Sequence, residues 1–319
     1  MRILVMGAGG IGGYYGARLA LSGNEVVFVA RGAHLERIQS RGLEVRERDQ
    51  PDRVAQVQAV RYPGDAGATF DLILMTVKAY DLEEAARAVA PVVGPETCVV
   101  PLQNGVDSVD VLNGILDPTR VLAGTTALSS KVAEPGVIER LSRTSAAAVG
   151  EPSGPRTPRI ERVVAAFTEA GLPDVIATDD AARAIWEKFM FLAPIATVNS
   201  ATGLPTGHIL SLPEGRDLVL GMQDEIRAVG LASGVNLPEE SAEKVRGMFL
   251  GLPEWHTVSM QRDFEAGKRV ELETLTGTVV RRGRAVGVAT PRFDSFYPVL
   301  LARALQYGGI TRDSSAAPA

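Results

Sequence analysis

The chain has 319 residues, of which 45% are hydrophobic and 22% are charged, and its formal net charge is −5. The length suits about two domains of ordinary size, and the composition is typical of a globular protein with a core. The negative charge argues against nucleic acid and anionic membranes as partners, and the single cysteine, Cys98, excludes an intrachain disulfide or a thiolate metal site. Because no apolar run reaches the ~20 residues that span a bilayer, we expect a cytoplasmic protein, and we expect no metal.

The first predicted elements are a strand, a glycine-rich turn, a helix and a second strand. The apolar run over residues 3–6 is typical of a strand buried on both faces of a parallel sheet. Glycines at G-x-G-x-x-G spacing follow it, before a helix over 14–22 and a strand over 25–30. In a dinucleotide site such glycines make the tight turn, admit a pyrophosphate against bare backbone and let the helix pack on the strand. The predicted cofactor-binding residues of this turn are Gly7, Gly9, Gly10, Ile11 and Gly12.

The residue after the second strand predicts which nicotinamide cofactor this turn would bind. An acidic residue about 20 positions beyond the glycines would bind the ribose 2′-hydroxyl of NAD and repel a 2′-phosphate. Arg31 stands there instead. Because a guanidinium forms bidentate hydrogen bonds with a phosphate, the sequence favours NADPH over NADH. The alternative is that Arg31 is a solvated charge at the end of the strand.

Two more buried strands of the same sheet are predicted over residues 71–77 and 97–102, with a helix over 82–93 between them. The segment before them is predicted to contain a short helix and short strands, over residues 34–41, 43–45 and within 50–63. In an open α/β sheet, ligands bind beyond the carboxyl ends of the strands, where Lys78 and Asn104 stand. Both are therefore candidate binding residues. The alternatives are a surface charge at Lys78 and a turn residue at Asn104.

The next part of the chain is predicted to contain strands without long helices between them, over residues 121–128, 136–141 and 146–150. This pattern suits an antiparallel addition to the edge of the sheet. A helix over 159–170 and a short strand over 175–177 follow. We place the first domain, which would bind NADP(H), at residues 1–179.

The hydrophobic period becomes helical in the second half, which predicts an all-helical domain over residues 180–312 and a disordered tail over 313–319. The longest helix, over 182–197, contains Pro194, which is expected to kink it. A loop or short turn is predicted over 205–210, and further helices over 213–233, 239–250, 259–266, 270–283 and 298–306. The predicted fold class is therefore α/β, with a Rossmann-type domain followed by a helical domain.

Ionisable residues in the helical half are candidates for catalysis. Lys188 interrupts an otherwise apolar helix, and a desolvated ammonium has a lowered pKa that suits a proton donor near neutrality. The alternative is a lysine that reaches solvent and pairs with Glu187. Glu271 and Glu273 flank Leu272 and cannot share one helical face, so one of them is expected to point inward. The alternative is that both are solvated.

Together these motifs resemble the ketopantoate reductases (2-dehydropantoate 2-reductases), a family of the 6-phosphogluconate dehydrogenase-like superfamily. The resemblance covers nearly the whole chain and rests on the glycine turn and several further segments. They are Arg31, Val77-Lys78-Ala79, Leu102-Gln103-Asn104-Gly105, Trp186-Glu187-Lys188-Phe189, Ser259-Met260-Gln261-Arg262-Asp263, and Glu271 with Arg281-Arg282-Gly283. The family implies NADPH and the reduction of a 2-oxo acid to a 2-hydroxy acid, here 2-dehydropantoate to pantoate in pantothenate biosynthesis.

By position, the resemblance implies a role for each site residue. Lys188 would donate a proton to the ketone oxygen, and Glu271 would match the active-site glutamate of the family. Ser259 would bind substrate, Lys78 would bind the cofactor, and Asn104 would lie near both nicotinamide and substrate. Because negative charge builds on the ketone oxygen as hydride reaches the carbon, a nearby ammonium suits this reaction.

The helix that carries Lys188 departs from the family pattern. Members with the pantoate-pathway activity usually carry asparagines four and eight residues beyond the lysine, where this chain has Leu192 and Ala196. Asn199 returns to a similar angle, but it lies ~16 Å further along the helix axis. Part of the usual contact with the substrate hydroxyl is therefore absent, which keeps a more apolar 2-oxo acid open as the substrate.

Three functions are consistent with the sequence. The first is NADPH-dependent reduction of 2-dehydropantoate or a close 2-oxo acid. The second is a reductase of the same fold that acts on another carbonyl or an imine, and the third is a non-enzymatic NADP(H)-binding sensor. Because a sensor would not need Lys188, Glu271 and Ser259 together, their presence argues against the third. We expect a small-molecule substrate, and a homodimer is possible because helical domains of this superfamily often pair.

Overall fold

The computed structural model describes residues 1–48, 50–67 and 69–306, and the tail predicted over 313–319 lies outside them. The chain divides into two compact units. The first contains Met1–Gln103 and Asp107–Ala184, and the second contains Asn104–Val106 and the chain from Ile185 onward. This division falls inside one helix. The predicted domain boundary after residue 179 stays a prediction.

The strands of the described residues are β1 (Arg2–Met6), β2 (Glu25–Val29), β3 (Leu43–Glu47), β4 (Gln50–Ala55), β5 (Gln58–Val60), β6 (Leu72–Met75), β7 (Cys98–Pro101), β8 (Ala123–Thr126), β9 (Ser130–Glu134), β10 (Val137–Arg140), β11 (Ala147–Gly150) and β12 (Val175–Ala177). Five of them form a parallel sheet in the order β5-β2-β1-β6-β7. The order reverses at β1, which lies between β2 and β6. Open α/β sheets bind ligands beyond the carboxyl ends of the strands at such a point.

Both faces of this sheet are buried. Alternate residues of β1 enter different apolar clusters, because Ile3 and Val5 pack on one face while Leu4 and Met6 pack on the other. Side chains of a strand alternate between the two faces, so a strand covered on both sides needs an uninterrupted apolar run. For this reason, the apolar run over residues 3–6 predicts a buried strand.

The remaining strands form two smaller sheets, in the orders β4-β3-β10-β9 and β12-β11-β8. The predicted antiparallel addition to the edge of the main sheet is confirmed only in part, since a single parallel bridge between Val99 and Val121 joins this segment to β7, and β8 then pairs antiparallel with β11. Each small sheet is mixed, since β10 runs parallel to β3 and antiparallel to β9, and β11 runs parallel to β12 and antiparallel to β8. The pairing of β3 with β10 joins segments that are distant in sequence, and hydrophobic periodicity does not specify such partners.

The helices of the first unit are α1 (Gly10–Leu21), α2 (Gly32–Arg41), α3 (Leu82–Val89), α4 (Ser108–Asn113) and α5 (Pro158–Glu169). Short 3₁₀ turns occupy Pro63–Ala66, Ala79–Asp81, Ala90–Val92 and Pro118–Arg120. The helix α1 begins at Gly10, four residues before its predicted start, with Gly9 as the N-cap residue. The N–H groups of its first turn, which have no partner within the helix, therefore belong to the glycine turn itself.

The helices of the second unit are α6 (Ala181–Thr202, whose first turn belongs to the first unit), α7 (Thr206–Leu210), α8 (Pro213–Ala232), α9 (Glu239–Leu250), α10 (Ser259–Glu265), α11 (Thr278–Val286) and α12 (Pro291–Gln306), and Glu273–Gly277 form a π-helix. The predicted start of the last helix at Pro298 was wrong, because α12 begins at Pro291. Phe293 and Leu300 are buried on either side of Pro298, and this packing offsets the hydrogen bond that an internal proline removes.

The second unit has an apolar core of its own, to which α6, α8, α9 and α12 all contribute. The predicted fold class is confirmed, since a unit built on a parallel sheet is followed by a helical one. Within the described residues, no helix is long and apolar enough to cross a membrane. In the same residues, no group of three or more His, Cys, Asp or Glu side chains is arranged to hold a metal ion.

Candidate active site

The glycine turn has close contacts at Gly7, Gly10 and Gly12 and open space at Gly9. Gly7 has a backbone φ of +110°, and a Cβ built on it would lie 2.9 Å from the backbone nitrogen of Val77. A Cβ on Gly12 would lie 2.2 Å from both the carbonyl oxygen of Gly7 and the hydroxyl oxygen of Thr76. A Cβ on Gly9 would meet no described atom within 4 Å outside its chain neighbours. The turn therefore has the tight ends, and at Gly9 the bare and open backbone, that a pyrophosphate requires.

Two side chains that the sequence analysis did not single out hold this turn in place. Thr76 donates its hydroxyl proton to the carbonyl oxygen of Gly7 at 2.8 Å. His34 accepts the N–H of Gly136 on Nδ1 at 2.9 Å, so Nε2 carries the ring proton and donates to the carbonyl of Ala8 at 2.8 Å. Burial lowers the pKa of His34, which favours the neutral ring that both bonds require. Neither residue belongs to a motif, so only the fold reveals its role.

The residues predicted to bind the rest of the cofactor lie beyond the strands of the main sheet. Arg31 follows β2, and its side chain is 73% exposed. Its ion pair with Glu84, at 3.6 Å, joins two exposed side chains, and such pairs contribute about 0–1 kcal/mol. Lys78 follows β6 and precedes the 3₁₀ turn Ala79–Asp81. An open glycine turn with an exposed guanidinium beyond the next strand fits the pyrophosphate and 2′-phosphate of NADPH, although the contacts themselves stay predictions.

Three of the predicted site residues are joined by hydrogen bonds in the second unit. Lys188, on α6, donates from Nζ to Oδ1 of Asn104 at 2.9 Å. The Nδ2 of the same amide donates to Oε2 of Glu271 at 3.4 Å. Glu271 is 3% exposed, whereas Lys188 and Asn104 are half-buried. Because an ammonium only donates and a carboxylate only accepts, the two bonds fix the orientation of the amide. Asn104 therefore links a cation to a carboxylate.

The surroundings of Lys188 suit a proton donor. Burial lowers the pKa of Lys188 to about 8, and the charge of Glu271 raises it in part. The ammonium is therefore charged at neutral pH but releases its proton more easily than an exposed lysine. Glu187, the alternative partner considered above, instead accepts hydrogen bonds from Lys244 and, at 2.7 Å, from the hydroxyl of Ser241. The structure therefore pairs Lys188 with Asn104 rather than with Glu187, and its role as a proton donor stays a prediction.

The other residues singled out on the helical half have different surroundings. Ser259 is the first residue of α10 and is half-buried, and its predicted contact with substrate stays a prediction. Leu192 is half-buried against the core of the second unit, and Ala196 is fully buried. Asn199 donates from Nδ2 to the hydroxyl oxygen of Thr206 at 2.8 Å. This bond uses the amide of Asn199 inside the protein, so it does not replace the asparagines absent at 192 and 196.

Comparison with known proteins gives consistent matches. The chain matches the family model described as ketopantoate reductase PanE/ApbA over residues 3–154 and its C-terminal counterpart over 180–304. The 2-dehydropantoate 2-reductase of Mesorhizobium japonicum is 31% identical over 97% of this chain and 99% of its own length. The solved structure of a PanE/ApbA family ketopantoate reductase from Ralstonia eutropha superposes with a TM-score of 0.88 at 30% identity, covering 97% of this chain and 100% of its own. A D-mandelate dehydrogenase, solved with NADH and anilino(oxo)acetate, shares the fold with a TM-score of 0.87 at 20% identity, covering 97% of this chain and 100% of its own.

Together, the fold, the site and these matches place the chain among the NAD(P)-dependent oxidoreductases. Within that class, the chain belongs to the ketopantoate reductase family, and the resemblance inferred from the sequence is confirmed. The matches extend over both units, so membership in the family does not rest on the first unit alone. The homodimer and the cytoplasmic location stay predictions.

Proposed function

We propose that this protein reduces 2-dehydropantoate to pantoate with NADPH and that Lys188 is the proton donor. The observation that carries the proposal is the hydrogen-bonded set of Lys188, Asn104 and Glu271. It combines an acidic ammonium, an amide that orients it and a buried carboxylate that keeps it charged. The name of the Mesorhizobium japonicum relative, a 2-dehydropantoate 2-reductase, supports the choice of substrate.

On this proposal, each residue of the set has a separate task in the reduction. When bound, NADPH supplies the hydride that reduces the carbonyl carbon. As the new C–H bond forms, the π electrons of the carbonyl move to its oxygen, and Lys188 transfers a proton from Nζ to that oxygen. Asn104 holds one of the three N–H groups of the ammonium, which leaves the others for the substrate. Glu271 stabilises the ammonium by its charge, and Ser259 holds substrate oxygens.

The test of this function is NADPH oxidation by the purified protein against a panel of 2-oxo acids, carbonyls and imines, followed by absorbance. We expect the highest kcat/KM for 2-dehydropantoate. A kcat/KM for that acid orders of magnitude below another panel member would exclude it as the substrate. Tight NADPH binding without turnover of any panel member would instead indicate the non-enzymatic sensor.

For the cofactor, we propose that NADPH binds to the glycine turn and to Arg31, Lys78 and Asn104. In Arg31→Ala, NADPH affinity should fall by about 10–150-fold, since a hydrogen bond to a charged group contributes about 1.5–3 kcal/mol. The affinity for NADH should change little, because NADH has no 2′-phosphate. The measurement is the Kd of each cofactor by titration calorimetry.

Glu84→Gln is the matched control for Arg31, because it removes the carboxylate that pairs with the guanidinium and keeps the guanidinium itself. NADPH affinity should hold or rise in this variant, since a negative charge near the proposed phosphate is lost. Equal weakening of NADPH and NADH in Arg31→Ala would show that Arg31 does not contact the 2′-phosphate.

The apolar face at Leu192 and Ala196 favours a second candidate, in which the same machinery reduces a more apolar carbonyl or an imine. Leu192→Asn should then raise kcat/KM for 2-dehydropantoate relative to an apolar 2-oxo acid by about 2–12-fold, as one added hydrogen bond contributes about 0.5–1.5 kcal/mol. The panel includes phenylglyoxylate as the apolar acid. Leu192→Ala is the control, because it removes the same apolar side chain without adding an amide. An equal change of the ratio in both variants would mean that the amide has no contact with substrate.

A further inference from the structure

The chain leaves α-helical geometry directly beside Glu271. Residues Glu273–Gly277 form a π-helix, in which i→i+5 hydrogen bonds make each turn wider than an α-turn. Well under 1% of residues in globular proteins adopt this geometry. Single π-turns often occur at functional sites, so the forces that hold this one bear on the position of Glu271.

The side chain of Glu273 is held on both carboxylate oxygens at the start of the π-helix. Tyr297, on α12, donates its hydroxyl proton to Oε1 at 2.7 Å. Arg281, on α11, bonds to Oε2 and also donates from Nη2 to the backbone carbonyl of Glu273 at 2.8 Å. A Cβ on Gly277 would lie 2.6 Å from Oε2, so the carboxylate folds back over its own turn where only glycine leaves room. We call Glu273, Arg281 and Tyr297 the Glu273 clasp.

Two threonines of the π-helix contact the residues that carry the candidate active site. A Cβ on Gly105, which follows the site asparagine and has a φ of +89°, would lie 2.6 Å from Cγ2 of Thr274. The hydroxyl groups of Thr276 and Thr197 share a buried hydrogen bond of 2.8 Å. Since Thr197 belongs to α6, this bond ties the π-helix to the helix that carries Lys188. The π-helix therefore connects the clasp to the segments that carry Asn104 and Lys188, the other two residues of the site.

We propose that the Glu273 clasp is a positioning device that holds the π-turn and thereby keeps Glu271 within reach of Asn104 and Lys188. The reason lies in helix geometry. Conversion of the wide turn to an α-turn shifts the register by one residue, which rotates the preceding residues by about 100° around the helix axis. A rotation of that size would carry the carboxylate of Glu271 away from Asn104. Only the kinetic test of this proposal rests on the proposed function, because the titration of Lys188 described below needs no substrate.

The first test uses Tyr297→Phe, which removes one hydroxyl group and keeps the ring. We expect kcat for reduction to fall by about 10–150-fold, the equivalent of one lost hydrogen bond to a charged group, while the Kd of NADPH stays near the wild-type value. A second readout needs no substrate. Because the charge of Glu271 raises the pKa of Lys188, displacement of Glu271 should make Lys188 titrate at a lower pH than in the wild type, as measured by ¹³C NMR of labelled lysines.

The matched control is Asp294→Asn, which breaks another ion pair between α11 and α12, that of Arg284 and Asp294 at 3.2 Å. This variant should change neither kcat nor the titration of Lys188. If Tyr297→Phe does not fold, Arg281→Lys keeps the charge of the clasp, removes its fork of donors and carries the same expectations. An unchanged titration of Lys188 in a folded clasp variant would overturn the proposal. If the wild-type protein reduces no 2-oxo acid, the proposed function is refuted. The titration of Lys188 then remains as the test of the clasp.

Discussion

Replacement of Lys188 by alanine should lower kcat for carbonyl reduction by about 10²–10⁴-fold, the range that general acid catalysis contributes. The side chain is the proposed source of the proton and of the positive charge that stabilises the developing alkoxide. NADPH binding should stay close to the wild-type value, because the proposed contacts with the cofactor belong to other residues. Steady-state kinetics with a saturating 2-oxo acid and calorimetric titration with NADPH measure the two effects separately.

The pH dependence of the wild-type enzyme should report the same group. Reduction requires the protonated amine, and the pKa of Lys188 is about 8. Therefore kcat/KM should be level below that pH and fall about tenfold per pH unit above it. Oxidation of the 2-hydroxy acid requires the neutral amine, so its kcat/KM should rise through the same region. A profile that stays flat between pH 7 and 9 in both directions would contradict this assignment.

Lys244→Ala provides the control for Lys188→Ala. Lys244 also belongs to the second unit, but it is 64% exposed and pairs with Glu187. Because Lys244 bonds to Glu187 and not to the set of Lys188, Asn104 and Glu271, this variant should keep nearly full turnover. Equal losses in the two variants would mean that Lys188 acts through general electrostatics or stability rather than as the proton donor.

Gly12→Ala should damage both the fold of the first unit and the binding of NADPH. The new Cβ would lie 2.2 Å from the backbone oxygen of Gly7, and a backbone atom in a tight turn has little room to move. Overpacking of this kind costs about 1–3 kcal/mol in the free energy of unfolding, occasionally more. A displaced turn also loses N–H contacts with the pyrophosphate, so NADPH affinity should fall about 100-fold or more, the equivalent of two hydrogen bonds to a charged group.

Gly9→Ala separates these two effects. Gly9 has a φ of −72°, which alanine adopts freely, and no described atom outside its chain neighbours would lie within 4 Å of the new Cβ. The melting temperature should therefore match the wild type, while the methyl group occupies the space proposed for the pyrophosphate and weakens NADPH binding. Wild-type affinity in Gly9→Ala would show that the glycine turn does not hold the pyrophosphate.

Much of the fold is predictable because burial leaves a local pattern. Four strands of the main sheet, β1, β2, β6 and β7, read as apolar runs, whereas the short β5 does not, and helices such as α9 keep the bounds that their period predicts. The small sheets were not predictable, because β9 is short and largely exposed and because the β3–β10 pairing depends on partners far apart in the chain. Likewise, the start of α12 depends on tertiary packing around Pro298, which overrides the local preference of proline.

The candidate site is predictable only in its residue types. Lys188 stands out as a charge in an apolar helix, and one of Glu271 and Glu273 has to turn inward. What the sequence does not contain is the geometry between them. The bonds of Asn104 to both Lys188 and Glu271 join residues from separate parts of the chain, and the π-turn differs from an α-turn by a single residue of register. Thr76 and His34 hold the glycine turn through backbone carbonyls, a role that any sequence-level motif would miss.

The exposure of Arg31 has a consequence for how this enzyme can change over evolutionary time. Its guanidinium pairs only loosely with Glu84 on the surface and contributes little to folding, and substitutions at such positions usually alter stability by less than about 0.5 kcal/mol. If Arg31 binds the 2′-phosphate as proposed, a single mutation at this position shifts the cofactor preference toward NADH without making the protein unstable. Mutations of Gly7 or Gly12 have no such path, because the added Cβ would lie within 3 Å of backbone atoms. Cofactor preference is therefore easier to change by mutation than the glycine turn.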